Sequence, residues 1–459
     1  MLEEIQQDVK MKKLWTRASA RDFGRILFKV IKKIQRLPDT RRLCQVEQEL
    51  PFSILCILMA MLTGQKTQLS KESWIRANYA DLCSLYCAFF GYLPQSSGPI
   101  SQSSISRTLR IISPEYLNSA VAKLGRADFQ EAWVEYSKYR IEIIKSSQKR
   151  SCLLELMQTL QNESIRVLAV DGKARKGVTG DKAKTEMDVT LYDTLAGQTL
   201  QRLTIPEKKG ESTVFYEFAD SQEFKDIVNS FANASVVVTG DAGITSRYLT
   251  HILTGANASY CLAIKGNAGH VHNTVESMEW ENAKTFKTEE NLHGREEERT
   301  IQVLKLKSLE TAGLFRDIIP NDPSGQLNEY EDSVFIARVT SSITNKNRKE
   351  INQRYFILGG KAFKTMKNEA IIAAGVIRAH WKIESNHWVK DVVLCEDDCS
   401  TKTPHSSQIL ASLRDISLGM IRIFSKSPTI FIRELSNNIK DFWSDIASGA
   451  LDEKSKCYS

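Results

Sequence analysis

The apolar positions along the chain follow more than one period. Over the first 160 residues they gather in helix-length blocks. "PFSILCILMAMLTG" is apolar enough for a buried helix, and "LCSLYCAFFGYL" predicts another. The stretch that follows, "PQSSGPISQSSISRTLRIISPEYL", is punctuated by Pro, Gly and Ser; Ser104 is expected to cap a short helix carrying Arg107 and Arg110. A turn followed by such a helix fits a plain surface helix, and more weakly a helix-turn-helix.

From Ile165 the pattern shortens. "SIRVLAVDGKARKG" is a β-branched run ending at Asp171, and "MDVTLYDTLAGQTLQRLTI" predicts two strands joined at "LAGQ". "FADSQEFKDIVNSFAN" predicts a helix, and "ASVVVTGDAG" a second buried strand ending at Asp241. "ITSRYLTHILTGAN" predicts a helix that stops near Gly255, followed by a strand in "ASYCLAIKGNAG". Strands alternating with helices in this way point to an α/β layout around one sheet. Between about 271 and 362 the chain is richer in strands, with "RTIQVLKLK", "DSVFIARVTSS" and "INQRYFILGG". Helix returns in "KTMKNEAIIAAGVIRAHWKIESNHWVKDVV" and, after Pro404, in "SSQILASLRDISLGMIRIF".

One helix stands out. At about 100° per residue, His380, Glu384, His387 and Asp391 fall on a single stripe. That stripe is too polar for a core face, and with Trp381 and Trp388 beside it the segment is too aromatic for a plain solvated one.

Composition narrows the classes. The 459 residues allow two or three domains, and a hydrophobic content of 42% with 25% charged residues is ordinary for a globular protein. No run approaches the ~18 apolar residues of a membrane span, and "MLEEIQQDVKMKKLW" has no h-region of a signal peptide. Nine irregularly spaced Cys do not form a disulfide framework, so a reduced, cytoplasmic protein is expected. The net charge of +7 is concentrated: residues 1–42 hold twelve Lys or Arg against five Asp or Glu. A basic N-terminal element suits a polyanion, nucleic acid first, and also fits a solvated amphipathic helix.

Asp171 and Asp241 occupy equivalent places, each at the carboxyl end of a hydrophobic strand beside glycine, where sites in open α/β sheets collect. A strand-ending Asp is also a common turn or cap residue. With Glu384 on the polar-aromatic helix the two make a three-carboxylate set. Such a set suits hard, oxygen-seeking Mg²⁺ and phosphoryl transfer between two ions about 4 Å apart. Lys173, Arg175 and Lys176 after the first acid, and Lys265 at a later strand end, are candidate phosphate contacts or solvated basic positions. Cys395 and Cys399 with His405 lack a fourth ligand for zinc, and "TGDAG" lacks the spacing of a phosphate loop.

The strings "VLAVDGKARKG", "VVVTGDA", "ANASYCLAIKGNAG", "NLHGREEERT", "QRYFILGG" and "IRAHWKIESNHWVKDVVLCED" resemble the DDE transposases of bacterial insertion sequences, in the family that includes the H-repeat-associated proteins. The likeness runs from about residue 20 to 425. It implies a ribonuclease H-like α/β core over 161–270 and 363–425, and a β-rich insertion at 271–362. A mostly helical, basic DNA-binding region would precede the core at 1–160, and a C-terminal tail would follow at 426–459. It further implies Asp171, Asp241 and Glu384 as catalytic metal ligands for Mg²⁺, with Mn²⁺ able to substitute. His380 and His387 would stand near DNA phosphates. The implied partners are double-stranded DNA and a second copy of the chain, as a dimer or higher oligomer, with no membrane. Alternatives are a decayed DNA-binding relic, or a nuclease without strand transfer. The segment after Glu384 is one residue shorter than the family pattern, and an Arg pair after "ED" is replaced by "DCSTK". The wider superfamily's Tyr, Arg and Lys positions around Glu384 are held by Ile377, His380 and Asp391.

Overall fold

The computed structural model describes residues 16–41, 46–118, 152–175, 186–231, 233–268, 270–292, 295–306, 330–345, 348–398, 403–425 and 427–456. The chain separates into two compact units: Met1–Ser137, Ala174–Glu186 and His387–Ser459 in one, Lys138–Lys173 and Met187–Asn386 in the other.

The first unit is helical. Its helices are α1 (Arg17–Ile34), α2 (Leu50–Leu62), α3 (Gln68–Ala77), α4 (Tyr79–Phe90) and α5 (Gln102–Ile111), joined by two late segments of the chain. As its sequence predicts, α2 is apolar all round, and its residues are almost all buried. The cap of α5 is Ser101, whose hydroxyl accepts from Ser104 N at 3.2 Å, so the helix begins three residues before the expected capping Ser104. Four serines compete for that role, and burial of Ile105 and Leu109 sets the phase. Arg107 and Arg110 on this helix are exposed.

The second unit is built on a nine-stranded sheet of order β3-β2-β1-β4-β5-β9-β8-β7-β6. These strands are β1 (Ile165–Arg175), β2 (Glu186–Asp193), β3 (Gln198–Thr204), β4 (Ser235–Gly240), β5 (Ser259–Ile264), β6 (Lys284–Leu292), β7 (Arg295–Lys305), β8 (Ser333–Asn345) and β9 (Arg348–Gly359). The pairs β1–β4 and β4–β5 are parallel, while β2–β3 and the ladder from β5 through β9 to β6 are antiparallel. The strand-rich region 271–362 therefore continues the same sheet outward from β5.

Helices cover both faces of the central strands. α6 (Cys152–Asn162) precedes β1; α7 (Glu211–Ala219), α8 (Gln222–Asn229) and α9 (Arg247–Gly255) lie between β3 and β5 in the chain. α10 (His270–Glu276), α11 (Lys361–Lys364) and α12 (Glu369–Val392) follow. Leu168, Val170, Val236 and Val238 pack with Phe215, Phe224 and Leu249 on one face, while Val167 and Val237 pack with Leu160, Ile372 and Val376 on the other. Strands buried on both sides read as unbroken apolar runs, which is why "VLAV" and "SVVV" are legible in the sequence.

The late helices of the first unit are α13 (Pro404–Phe424) and α14 (Pro428–Lys456). The stretch 426–459, expected as a tail, is thus largely helix. α14 crosses α1 through two glycines. A Cβ on Gly24 would lie 1.9 Å from the Ile446 carbonyl oxygen, and one on Gly449 would lie 1.8 Å from that of Arg21. The basic charge of α1 is partly met by α14, with Arg25 3.1 Å from Asp452 and Lys29 3.2 Å from Glu453. Among the described residues no helix is long and apolar enough to cross a membrane.

Candidate active site

The register of two strands brings the first acids together. β1 and β4 pair in parallel from Ile165–Ser235 to Val170–Gly240, so Asp171 and Asp241 are the next residue of each chain beyond the last pair. Neighbouring strands lie about 4.8 Å apart, which makes these two acids side-by-side neighbours at the carboxyl edge of the parallel ladder. β1 itself runs on to Arg175, so Asp171 sits within a strand and not at its end as the sequence predicts. The glycine after it does not break β1, because β1 has β2 as a second neighbour in the sheet.

Asp241 does end its strand, and it serves the turn as well. Its Oδ1 accepts from Gly243 N at 2.8 Å and Ile244 N at 3.3 Å. The Thr245 hydroxyl bonds back to the Asp241 carbonyl at 2.9 Å and to that of Ala263 at 2.8 Å, fastening the loop to β5.

Glu384 is brought to this edge by the packing of α12. Ile383 is fully buried against Ala169 of β1 and Tyr192 of β2. One turn earlier, His380 Nδ1 is 3.0 Å from the Thr239 hydroxyl on β4, two residues before Asp241. Lys382 donates to the Thr194 carbonyl at 3.1 Å, in the turn between β2 and β3. Three neighbouring side chains thus fix the helix to β4, β1 and the β2–β3 hairpin. Burial and then the negative charge of Asp171 raise the Glu384 carboxyl above its ordinary range, with Arg354 pulling the other way.

A fourth acid stands with them. Glu211 opens α7 behind Gly210, and a Cβ on Gly172 would fall 2.6 Å from its carboxyl carbon, so Gly172 is the residue that admits it. Burial first, then Asp241 and Asp171, push Glu211 up to about 7, against a hydrogen bond from the Gly172 amide. Sequence reading misses this residue because α7 is short. Its signal is an acid in the first helical turn ahead of Val214, Phe215 and Phe218, all buried.

Trp381 lies on the same helix, surrounded by guanidinium groups. Arg299, Arg354 and Arg378 stand 5.2, 5.3 and 4.9 Å from its ring centre.

The other predicted residues are dispersed. Lys173, a candidate phosphate contact or solvated basic position, is 6% exposed. Arg175, in the helical unit, is 1% exposed, pairs with Glu186 at 2.6 Å and donates to the Ser407 hydroxyl at 2.9 Å. Lys265 is exposed just beyond β5. His387 is half-buried and belongs to the helical unit. Lys176 and Cys399 lie outside the described residues. His405, considered for zinc, sits 2.7 Å from the Ile112 carbonyl.

All four donors around Asp171 are carboxylates, the oxygen chemistry that Mg²⁺ prefers. Among the described residues no three His, Cys, Asp or Glu side chains converge closely enough to hold an ion.

No protein-family model matches the chain. It is 22% identical to "Putative protein YbfL" of Escherichia coli (strain K12) over 419 residues, covering 86% of this chain and 90% of that one. Identity and coverage are the same for "H repeat-associated putative transposase YhhI" of that strain. "Putative transposase YncI" of Escherichia coli O157:H7 is 25% identical over 276 residues, 56% of this chain and 62% of the relative. Among solved structures, the cryo-EM structure of piggyBac transposase synaptic complex with hairpin DNA aligns at a TM-score of 0.42 and 9% identity, covering 94% of this chain and 80% of that one. The sequence relatives bear out the resemblance read from the motifs: this chain is similar, over most of its length, to the family that includes the H-repeat-associated transposases.

Proposed function

We propose that the chain is a DDE transposase with a ribonuclease H-like core, which cuts DNA at the ends of its own mobile element and joins the freed 3′-hydroxyl to a target. The observation that carries this reading is the register of β1 and β4, which sets Asp171 and Asp241 side by side, with the helix of Glu384 seated beside them by Ile383 against Ala169. The strand order β3-β2-β1-β4-β5, antiparallel then parallel, supports the core assignment, and the transposase names of two relatives support the activity.

In this reading Asp171, Asp241 and Glu384 would hold Mg²⁺, with Mn²⁺ able to substitute, their side chains closing on the ion from positions that stand apart without it. Bound ions would activate the attacking water or hydroxyl and stabilise the leaving oxygen of the phosphodiester. The chain's own part is positional. Rigid strands and a helix locked by Ile383 and His380 keep the carboxylates from drifting, which a mobile loop could not do. His380 is engaged with Thr239, so its contribution is to orient the helix more than to meet DNA. Double-stranded DNA is the partner, and two copies of the chain bridging two element ends is the assembly expected.

The test is Mg²⁺-dependent cleavage of DNA carrying the element's ends by wild type and Glu384→Ala, with binding measured alongside. Cleavage lost at least 100-fold with binding kept supports the reading. Equal cleavage by both sinks the assignment of Glu384. Cutting without joined products would leave a nuclease, and binding without cutting by wild type would leave a relic.

A further inference from the structure

The transposase reading asks the site to meet DNA phosphate as well as a metal ion. At the superfamily's Arg position on the helix stands His380, and that side chain is occupied by Thr239. Around Asp171, Asp241, Glu211 and Glu384 the chemistry is acidic, yet a DNA strand arriving there brings phosphate oxygens of the same sign.

The guanidinium groups around Trp381 differ in how they are used. Arg299 is bound by Glu290 at 2.7 Å and Glu297 at 2.5 Å, and Arg378 by Glu290 at 3.1 Å; their side chains are 5% and 14% exposed. Those two are structural, neutralised within the fold. Arg354, on β9, is exposed and forms no ion pair among the described residues. What holds it is the Trp381 ring, 5.3 Å from its guanidinium carbon.

Stacking on an aromatic face leaves the N–H edges of a guanidinium free, in the planar fork that matches two phosphate oxygens. It also removes much of the rotamer freedom that an exposed Arg would otherwise lose on binding. Trp381 precedes Glu384 by three residues, so the two side chains are neighbours on one helix face. The pull of Arg354 on the Glu384 carboxyl agrees with that placement.

We propose that Arg354 is a DNA-phosphate contact of the candidate active site, a cation supplied by β9 and set in place by Trp381 beside Glu384. The proposal rests on the transposase reading and adds to it a residue from outside α12. A phosphate so held would lie next to the carboxylates, positioned for them and independent of base sequence.

The experiment is binding of full-length protein to duplex DNA of arbitrary sequence in EDTA, across a salt series, for wild type, Arg354→Ala and Arg354→Lys. A phosphate contact predicts affinity lower by about 3- to 10-fold for Arg354→Ala, and a log–log salt slope smaller by about one. Arg354→Lys should keep the slope, and both variants should melt within about a degree of wild type, because an exposed side chain away from the core carries little stability. Wild-type affinity and slope in Arg354→Ala would overturn the proposal alone. Equal losses in both variants with lowered melting temperatures would assign Arg354 to packing and overturn it too. Wild type that binds no DNA at any salt would overturn this proposal and the transposase reading together.

Discussion

Neighbouring strands of one sheet surround their acids differently. On β2, Asp188 accepts from Arg202 at 2.7 Å and from Thr204 at 3.0 Å. Asp193 accepts from Arg166 at 2.7 Å and from the amides of Leu195 and Ala196 at 3.0 Å. Near Asp171 and Asp241, beyond β1 and β4, two further carboxyls are pushed up in pKa by burial and then by neighbouring acids: Glu211 by Asp241 and Asp171, Glu384 by Asp171. Glu211 and Glu384 are held near acids of the same sign, and a bound cation would relieve that repulsion.

The comparison breaks most readily at Asp188. Its side chain and that of Arg202 are 0% and 2% exposed, so Asp188→Ala removes a buried partner and should cost about 3–5 kcal/mol in chemical denaturation. Glu211→Gln should cost nothing and should stabilise slightly, by less than about 1 kcal/mol after solvent screening. Equal losses in the two variants would show that both sets of acids are structural.

Divalent cation gives the next effect. If the crowded acids bind Mg²⁺, the ion at 100 times its Kd should stabilise the fold by about 2.7 kcal/mol, read as a rise in melting temperature. Asp171→Asn should abolish that rise, while Lys265→Ala should leave it in place. An unchanged melting temperature in wild type would remove the metal from the picture.

The smallest effect is on pH. Glu211 is raised from 4.5 to about 7, so between those values the folded chain keeps a proton that the unfolded chain has already lost. Stability from this group is therefore full below about pH 4.5, falls as pH rises towards 7, and is flat above it. Glu384 adds a decline of the same sign. In Glu211→Gln the fall in melting temperature over that range should be shallower than in wild type. A steeper fall would mean that the carboxyl is stabilised by ionisation and not by protonation.

How much of this is legible beforehand depends on the range of the forces involved. The runs "VLAV" and "SVVV" predict β1 and β4 because a strand buried on both faces must be apolar at every position. "LAGQ" marks the hairpin between β2 and β3, since Gly197 takes a positive φ of 74° that favours glycine. The short helix α7 escapes notice, since its nine residues carry too few turns for a clear period. Likewise α14 reads as a tail because its apolar positions acquire meaning only against α1, through Gly24 and Gly449.

Asp171, Asp241 and Glu384 can be named from the sequence because their identities and local contexts sit within a few residues of each acid. Whether they meet cannot be, because it depends on the register of β1 against β4 and on where Ile383 seats its helix. Glu211 and Arg354 belong to that second kind. Neither stands in a telling string, and each gains its place from residues far along the chain: Gly172 by leaving room for a carboxyl, Trp381 by offering a ring. Chemical type is a property of the residue itself, while proximity is a property of packing. For this protein the first was carried by the sequence, and the second only by the tertiary structure.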